Sequence, residues 1–362
     1  MTSVREIYNY INELFPFDTQ ESWDNSGLLI GSMEAGVNKA VLSLDITREV
    51  AEEAGRLGAG LVISHHPIIF NAIKNIPAES AVYAVAKNNL SAICAHTNLD
   101  MGKGGVNDEL FRRLGLINKS PLSVAKSVSF KQVAVYVPSD YAETVYAAMS
   151  SAGAGEYDGY GGCAFFGSGK GRFVPQGGAK PFIGSIGETE TVDETRITML
   201  CAPRKLKAVI SAMLEAHPYE VPSYEITDNH AVADKTPMGL IGRLPGEMTA
   251  EQFAAHVRDS LGLDAVKLYG SRKTIGKVGI CSGSGGSMLG LAIAAGCDAL
   301  VTGDVKHDAA ISAIDSGIVV IDAGHYGTEN IIIEPLRKML AERFPEVEFV
   351  KAESGRMKYR TI

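Results

Sequence analysis

Two adjacent histidines, His65 and His66, end the apolar run "LVISHHPIIF" at residues 61–70. Neutral imidazole is a common ligand for divalent transition metals. Successive side chains of a strand point to opposite faces, so this pair can serve one centre only where the strand stops. Pro67 supplies a stop, because it removes a ladder donor and biases His66 toward an extended backbone. The alternative is a pair of histidines that merely close a strand through backbone hydrogen bonds.

Three further loops carry the same residue types. "AHTNLDMGKGG" offers His96 and Asp100, although it reads equally as a helix start capped by Asn98 or Asp100. "DAGHYGTEN" offers His325 and Glu329, whose i, i+4 spacing puts them on one face of a helical turn. There the alternative is a helix capped by Thr328, with Glu329 favouring the helix dipole. "TGDVKHD" adds Asp304 and His307 as weaker candidates. His96, Asp304 and His307 are candidates for proton transfer or for supporting the ligands.

His65, His66, Asp100, His325 and Glu329 together provide three imidazoles and two carboxylates. One tetrahedral zinc with an open position takes fewer. The set suits two divalent ions a few ångström apart, with one carboxylate bridging, water between them and one of the paired histidines on each ion. Mixed nitrogen and oxygen ligation fits zinc first, with manganese or iron as alternatives. No cysteine belongs to the set.

These residues need a scaffold that brings distant loops together, and an internal repeat suggests one. "KAVLSLDITREVAEEAGRLGAGLVISHHP" (39–67) parallels "KVGICSGSGGSMLGLAIAAGCDALVTGDVK" (277–306). "LSAICAHTNLD" parallels "IVVIDAGHYG", and "SGLLIG" and "MGLIG" precede the two halves at related distances. Strands alternating with helices predict βαβ units and a largely parallel sheet. Ligand sites in such sheets lie beyond the carboxyl ends of the strands, where the loops of His65, His96, Asp304 and His325 all begin. The fold class is α/β: two related βαβ halves forming one metal-binding domain, residues 1–125 and 237–362.

Residues 126–236 differ in character. "VAVYVPSDYAETVYAAMSSAG" echoes "ITMLCAPRKLKAVISAMLEAH", which predicts a ferredoxin-like α+β insert with an extended hairpin or loop between the echoes. "GSGKG" resembles a phosphate loop only superficially, since GxxxxGK[ST] fails at Ala164 and Gly171.

Composition bounds the remaining classes. The chain has 362 residues, 46% hydrophobic and 21% charged, with a net charge of −8. That length favours two domains, and the charge disfavours nucleic-acid partners. No apolar run reaches membrane-spanning length. The amphipathic start "MTSVREIYNYINELFP" reads as the first helix of a cytoplasmic protein. Five scattered cysteines without a CxxC pair indicate reduced thiols.

In "WDNSGLLIG", "SHHPIIF", "HTNLD", "LVTGD" and "DAGHYGTEN" the chain resembles the dinuclear-metal family known as GTP cyclohydrolase I type 2 or NIF-three-like proteins. The resemblance implies metal ligation by His65, His66, Asp100, His325 and Glu329, with Glu329 bridging. "AHPYEVPSYEI" and "GCAFFGSGKGRF" make the insert similar to the PII-like or CutA-like domain of the family's longer members. By that resemblance the protein forms a hexamer of two stacked trimers, with metal sites facing an internal cavity.

The leading expectation is a metal-dependent hydrolase that uses water activated between two ions, acting on a nucleotide or another phosphorylated small molecule. The alternative is a ring-forming metal-binding regulator, without enzymatic activity, whose insert binds a ligand.

Overall fold

The computed structural model describes residues 1–355. It divides into two compact units, residues 1–125 with the chain from 236 onward, and residues 126–235.

The first unit begins with the helix Val4–Leu14, which Ser3 and Glu6 start as a reciprocal capping box. Its buried Val4, Ile7 and Ile11 recur at helical spacing and pack against Leu42, Leu61, Ile63 and Ile93. The strands Leu61–Ser64, Ser91–Cys94, Ala299–Thr302 and Val319–Asp322 are buried at every position. Apolar on both faces, they suit parallel strands covered by helices on each side.

The repeat predicts one largely parallel sheet; the unit has two. The first runs Gly27–Ile30, Ser91–Cys94, Leu61–Ser64, Lys39–Ser43, Glu348–Lys351. All neighbours are parallel except the antiparallel pair at Gly27–Ile30. The second runs Lys267–Tyr269, Val319–Asp322, Ala299–Thr302, Ile275–Ile280 and then the 240–248 part of the long strand Tyr224–Met248. Its central neighbours are parallel, and both outer pairings are antiparallel. Each parallel block therefore has its edges taken by outer strands, and the blocks do not pair with each other.

The echo of "SGLLIG" in "MGLIG" does not carry over to position. Gly27–Ile30 flanks the third strand of its block, whereas 240–248 flanks the first strand of the other. Lys267–Tyr269 holds the place that matches Gly27–Ile30.

The second sheet packs against the helix Ala250–Leu261 through Phe253, which is fully buried beside Val257, Leu110 and Ile280. Phe253→Ala is expected to cost about 3–5 kcal/mol, read as a lower denaturant midpoint. A cost under about 1 kcal/mol would mean this core is not closely packed.

The second unit runs strand, helix, strand, strand, helix, strand. Residues 131–138 pair antiparallel with Glu190–Cys201, which also pairs antiparallel with Ala164–Phe173. Helices Ala142–Ser151 and Leu206–Ala216 bury Val145, Met149, Val209 and Met213 against Val133, Val135, Ile197 and Met199. "GSGKG" lies within the strand Ala164–Phe173 and not in a strand-to-helix loop. Cys163 is exposed, and the other four cysteines are buried and free.

Candidate metal centre

Strand Leu61–Ser64 ends one residue before His65. The amides of His65 and His66 still bond to the carbonyls of Ser43 and Leu44 at 3.4 and 2.9 Å. Past the strand end the alternation of faces no longer applies, and the two rings lie 5.0 Å apart between centroids. Asp100 and His96 arrive from the end of Ser91–Cys94, and His325 and Glu329 from the end of Val319–Asp322. Donors from both sheets thus converge at the carboxyl ends of the strands.

Each histidine is held by its Nδ1. His65 Nδ1 bonds to the Ala95 carbonyl at 2.9 Å, and His66 Nδ1 to Asp45 at 2.7 Å. His96 Nδ1 meets Asp24, and His325 Nδ1 meets Asp304, each at 2.7 Å. A partner on one ring nitrogen fixes the tautomer and aims the other, as is usual for metal-ligating histidines.

The Nε2 atoms gather around one carboxylate. Glu329 Oε2 lies 2.9 Å from His66 Nε2 and 3.0 Å from His325 Nε2. The two Nε2 atoms are 3.2 Å apart. His65 Nε2 is 3.8 Å from Glu329 and 3.6 Å from Asp100, beyond hydrogen-bond range. His65 is 1% exposed, and its Nε2 has no hydrogen-bond partner. A buried orphan nitrogen is costly, and a cation near Asp100 and Glu329 would satisfy it.

Three overlapping groups have donor atoms mutually within 4.8 Å: His66, His325 and Glu329; His65, Asp100 and Glu329; His65, His66 and His96. His65, His66 and Glu329 each belong to two of them, and Glu329 is the carboxylate so shared. Clustered donors of this kind could hold a metal ion.

The pattern of protonation points the same way. Burial opposes charge on His66, but Asp45 and Glu329 outweigh it and push the imidazole up to about 10. Glu329 is the main cause that raises His325 to about 9, against burial. Burial also opposes charge on His65, yet Asp100 and Glu329 raise it. Burial would raise Glu329, but the surrounding imidazoles hold it well below the carboxylate range. In the metal-free protein, protons therefore supply positive charge where a cation fits.

Local sequence explains the positioning. Thr97–Met101 is a short helix with His96 at its N-cap, so Asn98 and Asp100 lie inside it and do not cap it. Asn98 instead donates to the Phe15 carbonyl at 2.7 Å. Asp100 accepts from the Ser282 hydroxyl at 2.8 Å. His325–Glu329 is likewise one turn, with Gly324 at its N-cap and Thr328 inside. Thr328 Oγ1 accepts the Gly283 amide at 3.0 Å. Asp304 takes a positive φ of 52°, a conformation that Asp tolerates better than most residues. Gly283 has φ 60°, and a Cβ there would overlap Glu329 Oε1 and lie 3.3 Å from His325 Nε2.

The structure thus brings together His65, His66, His96, Asp100, His325 and Glu329, with Asp304 behind His325. His307 is exposed at the start of the helix His307–Ser316 and belongs to none of the three groups. Sequence reasoning missed Asp24, Asp45, Ser282 and Gly283. Asp45 and Ser282 each stand two residues beyond a strand, so the strand-end rule could have flagged them.

Asp45→Asn and Asp304→Ala are each expected to weaken metal binding by about 10–100-fold. Competition with a chelator of known affinity measures this, and unchanged affinity in both variants would refute the orienting role.

A family model described as Duf34/NIF3 (NGG1p interacting factor 3) matches residues 2–356. The chain is 37% identical over 350 residues to a Bacillus subtilis protein named GTP cyclohydrolase 1 type 2 homolog, covering 95% of this chain and 94% of that one. The crystal structure of a Bacillus cereus protein related to NIF3 superposes with a TM-score of 0.90 at 34% identity, covering 97% of each chain. That of Staphylococcus aureus protein SA1388 gives 0.78 at 27% identity, covering 100% of this chain and 99% of the other. Among the described residues no helix is long and apolar enough to cross a membrane.

Proposed function

The chain belongs to the Duf34/NIF3 family, and on that premise we propose that it is a metal-dependent hydrolase built on a dinuclear centre. The observation that carries this reading is the shared position of Glu329 in two donor groups. His66, His325 and Glu329 would hold one ion and His65, Asp100 and Glu329 the other, with Glu329 common to both sets. Zinc suits the nitrogen and oxygen donors first, with manganese or iron next.

Bound divalent ions would supply Lewis acidity and a lowered pKa for an attacking water. The chain's own residues do the rest. Asp45, Asp304 and the Ala95 carbonyl keep three imidazoles aimed inward. His96, held at Nδ1 by Asp24, stands 5.2 Å from His65 and 5.5 Å from His66 between ring centroids. In this reading His96 carries a proton between substrate and solvent through its Nε2.

The proposed substrate is a nucleotide, such as the GTP in the B. subtilis relative's name, or another phosphorylated small molecule. In this reading the unit containing both sheets is one metal-binding domain of two related halves. Residues 126–236 form a ferredoxin-like insert of the PII or CutA type, and the assembly is a cytoplasmic hexamer.

Metal affinity should depend steeply on pH. With His66 at about 10 and His325 at about 9 in the metal-free chain, both are protonated at neutral pH, and ligation must displace both protons. Affinity therefore rises with pH until those values are passed and falls as pH drops, by about 100-fold per unit for two protons. Chelator competition at several pH values checks this; a flat profile contradicts it.

The reading itself is tested by screening metal-loaded protein for hydrolysis of nucleotides and phosphoesters. Turnover lost on chelation and restored by metal is expected. Turnover that persists without metal would overturn it.

A further inference from the structure

Residues 126–235 line an open cavity of about 630 Å³, a size typical of small-ligand sites. Every lining residue belongs to this unit, and none takes part in the metal centre. Three rings build its apolar side: Phe173 and Tyr219 lie 5.8 Å apart between centroids, and Phe182 and Tyr219 6.5 Å. Phe182 is 50% exposed, so its ring is held at the cavity without being consumed by the unit's own core.

The charges on the wall are unequally committed. Glu194 accepts from the Tyr219 hydroxyl at 3.1 Å, and Glu220 accepts the Lys180 backbone amide at 2.9 Å. Glu225 accepts from Tyr136 at 3.0 Å and pairs with Arg196 at 3.5 Å. Lys170 is paired with Asp193 at 2.7 Å. Among the described residues, the guanidinium of Arg172 and the ammonium of Lys180 have no such partner. The wall carries three carboxylates (Glu194, Glu220 and Glu225) as well as three cations, and the cations without such a partner, Arg172 and Lys180, line the same cavity as the three rings.

Gly171 contributes to this arrangement, because a Cβ at that position would overlap the Glu194 carboxylate. Its absence lets Glu194 lie against the strand and fix the Tyr219 hydroxyl. "GSGKGRF" therefore does not act as a phosphate loop; any anion here meets side chains and not a loop of backbone amides.

We propose that this cavity binds a small planar aromatic anion, its ring against Phe173, Phe182 and Tyr219 and its anionic group at Arg172 and Lys180. The phosphate of a mononucleotide and the carboxylate of an aromatic acid are the two sources of that chemistry. Guanidinium forms paired bonds to either anion, and aromatic contacts favour a flat ring. The site is independent of the metal chemistry proposed above.

Calorimetric titration of the full chain tests it, with AMP, GMP, indole-3-acetate, adenosine and inorganic phosphate as probes. At least one ring-bearing anion should bind below about 1 mM, with adenosine and phosphate each about 10-fold weaker. Preference for AMP or GMP assigns the phosphate source, and preference for indole-3-acetate the carboxylate. Arg172→Glu should weaken binding by about 10-fold or more, and Phe182→Ala by several-fold. Glu329→Gln should leave it unchanged. Failure of all three ring-bearing anions to bind at millimolar concentration overturns the proposal. So does binding insensitive to both cavity substitutions, or binding lost in Glu329→Gln.

Discussion

Glu329→Gln is expected to strip the chain of bound metal while leaving it folded. Glu329 is 3% exposed and lies at the meeting point of His65, His66 and His325. Gln keeps the volume and removes the charge, so the loss is electrostatic and not one of packing. Because Glu329 belongs to both proposed ligand groups, its loss should weaken both ions. The decrease in affinity should exceed about 100-fold, above the roughly 10–100-fold carried by outer partners. A second readout is independent of metal. The His325 imidazole, at about 9 chiefly because of Glu329, should titrate back toward the ordinary range in NMR of the metal-free variant. Full metal content in the purified variant would refute the assignment.

Gly283→Ala should do comparable damage from a residue that offers no ligand atom. Its φ of 60° is strained for any residue with a Cβ. The added methyl would also overlap the Glu329 carboxylate, which is held by the His66 and His325 imidazoles and has little room to withdraw. We expect metal binding weakened by about 10-fold or more and a stability loss of about 1–3 kcal/mol. Metal analysis and thermal denaturation measure the two effects separately. Wild-type metal affinity in Gly283→Ala would show that Glu329 does not need its observed position.

The contrast between these two residues marks what the sequence could reveal. Glu329 stands out because it sits i, i+4 from His325 at the end of an apolar four-residue strand. Gly283 lies in "SGSGGS", where nothing local separates it from its neighbouring glycines; only the approach of Glu329 from 46 positions away distinguishes it. The same holds for the carboxylates behind the imidazoles. Asp24 meets His96 across 72 positions and Asp45 meets His66 across 21, separations that no periodicity encodes.

Strand identity was legible because "LVIS", "SAIC", "ALVT" and "VVID" are too uniformly apolar for a surface. Sheet partnership was not. Glu348–Lys351 joins the first sheet beside Lys39–Ser43, a pairing set by where the helix Ile333–Arg343 delivers it. The alternatives for Asn98, Asp100 and Thr328 as caps were sound local chemistry, overridden by tertiary contacts. Asn98 bonds to the Phe15 carbonyl, Asp100 to Ser282 and Thr328 to the Gly283 amide.

In the proposed function, hydrolysis depends on metal held by His65, His66, Asp100, His325 and Glu329. Its most direct test is the rate of nucleotide and phosphoester hydrolysis by metal-stripped protein as zinc, manganese or iron is restored, with bound metal measured at each step. We predict no turnover in the stripped protein and activity that saturates as binding approaches about two ions per chain. Filled sites without turnover of any substrate in the screen, or turnover indifferent to metal, would contradict it.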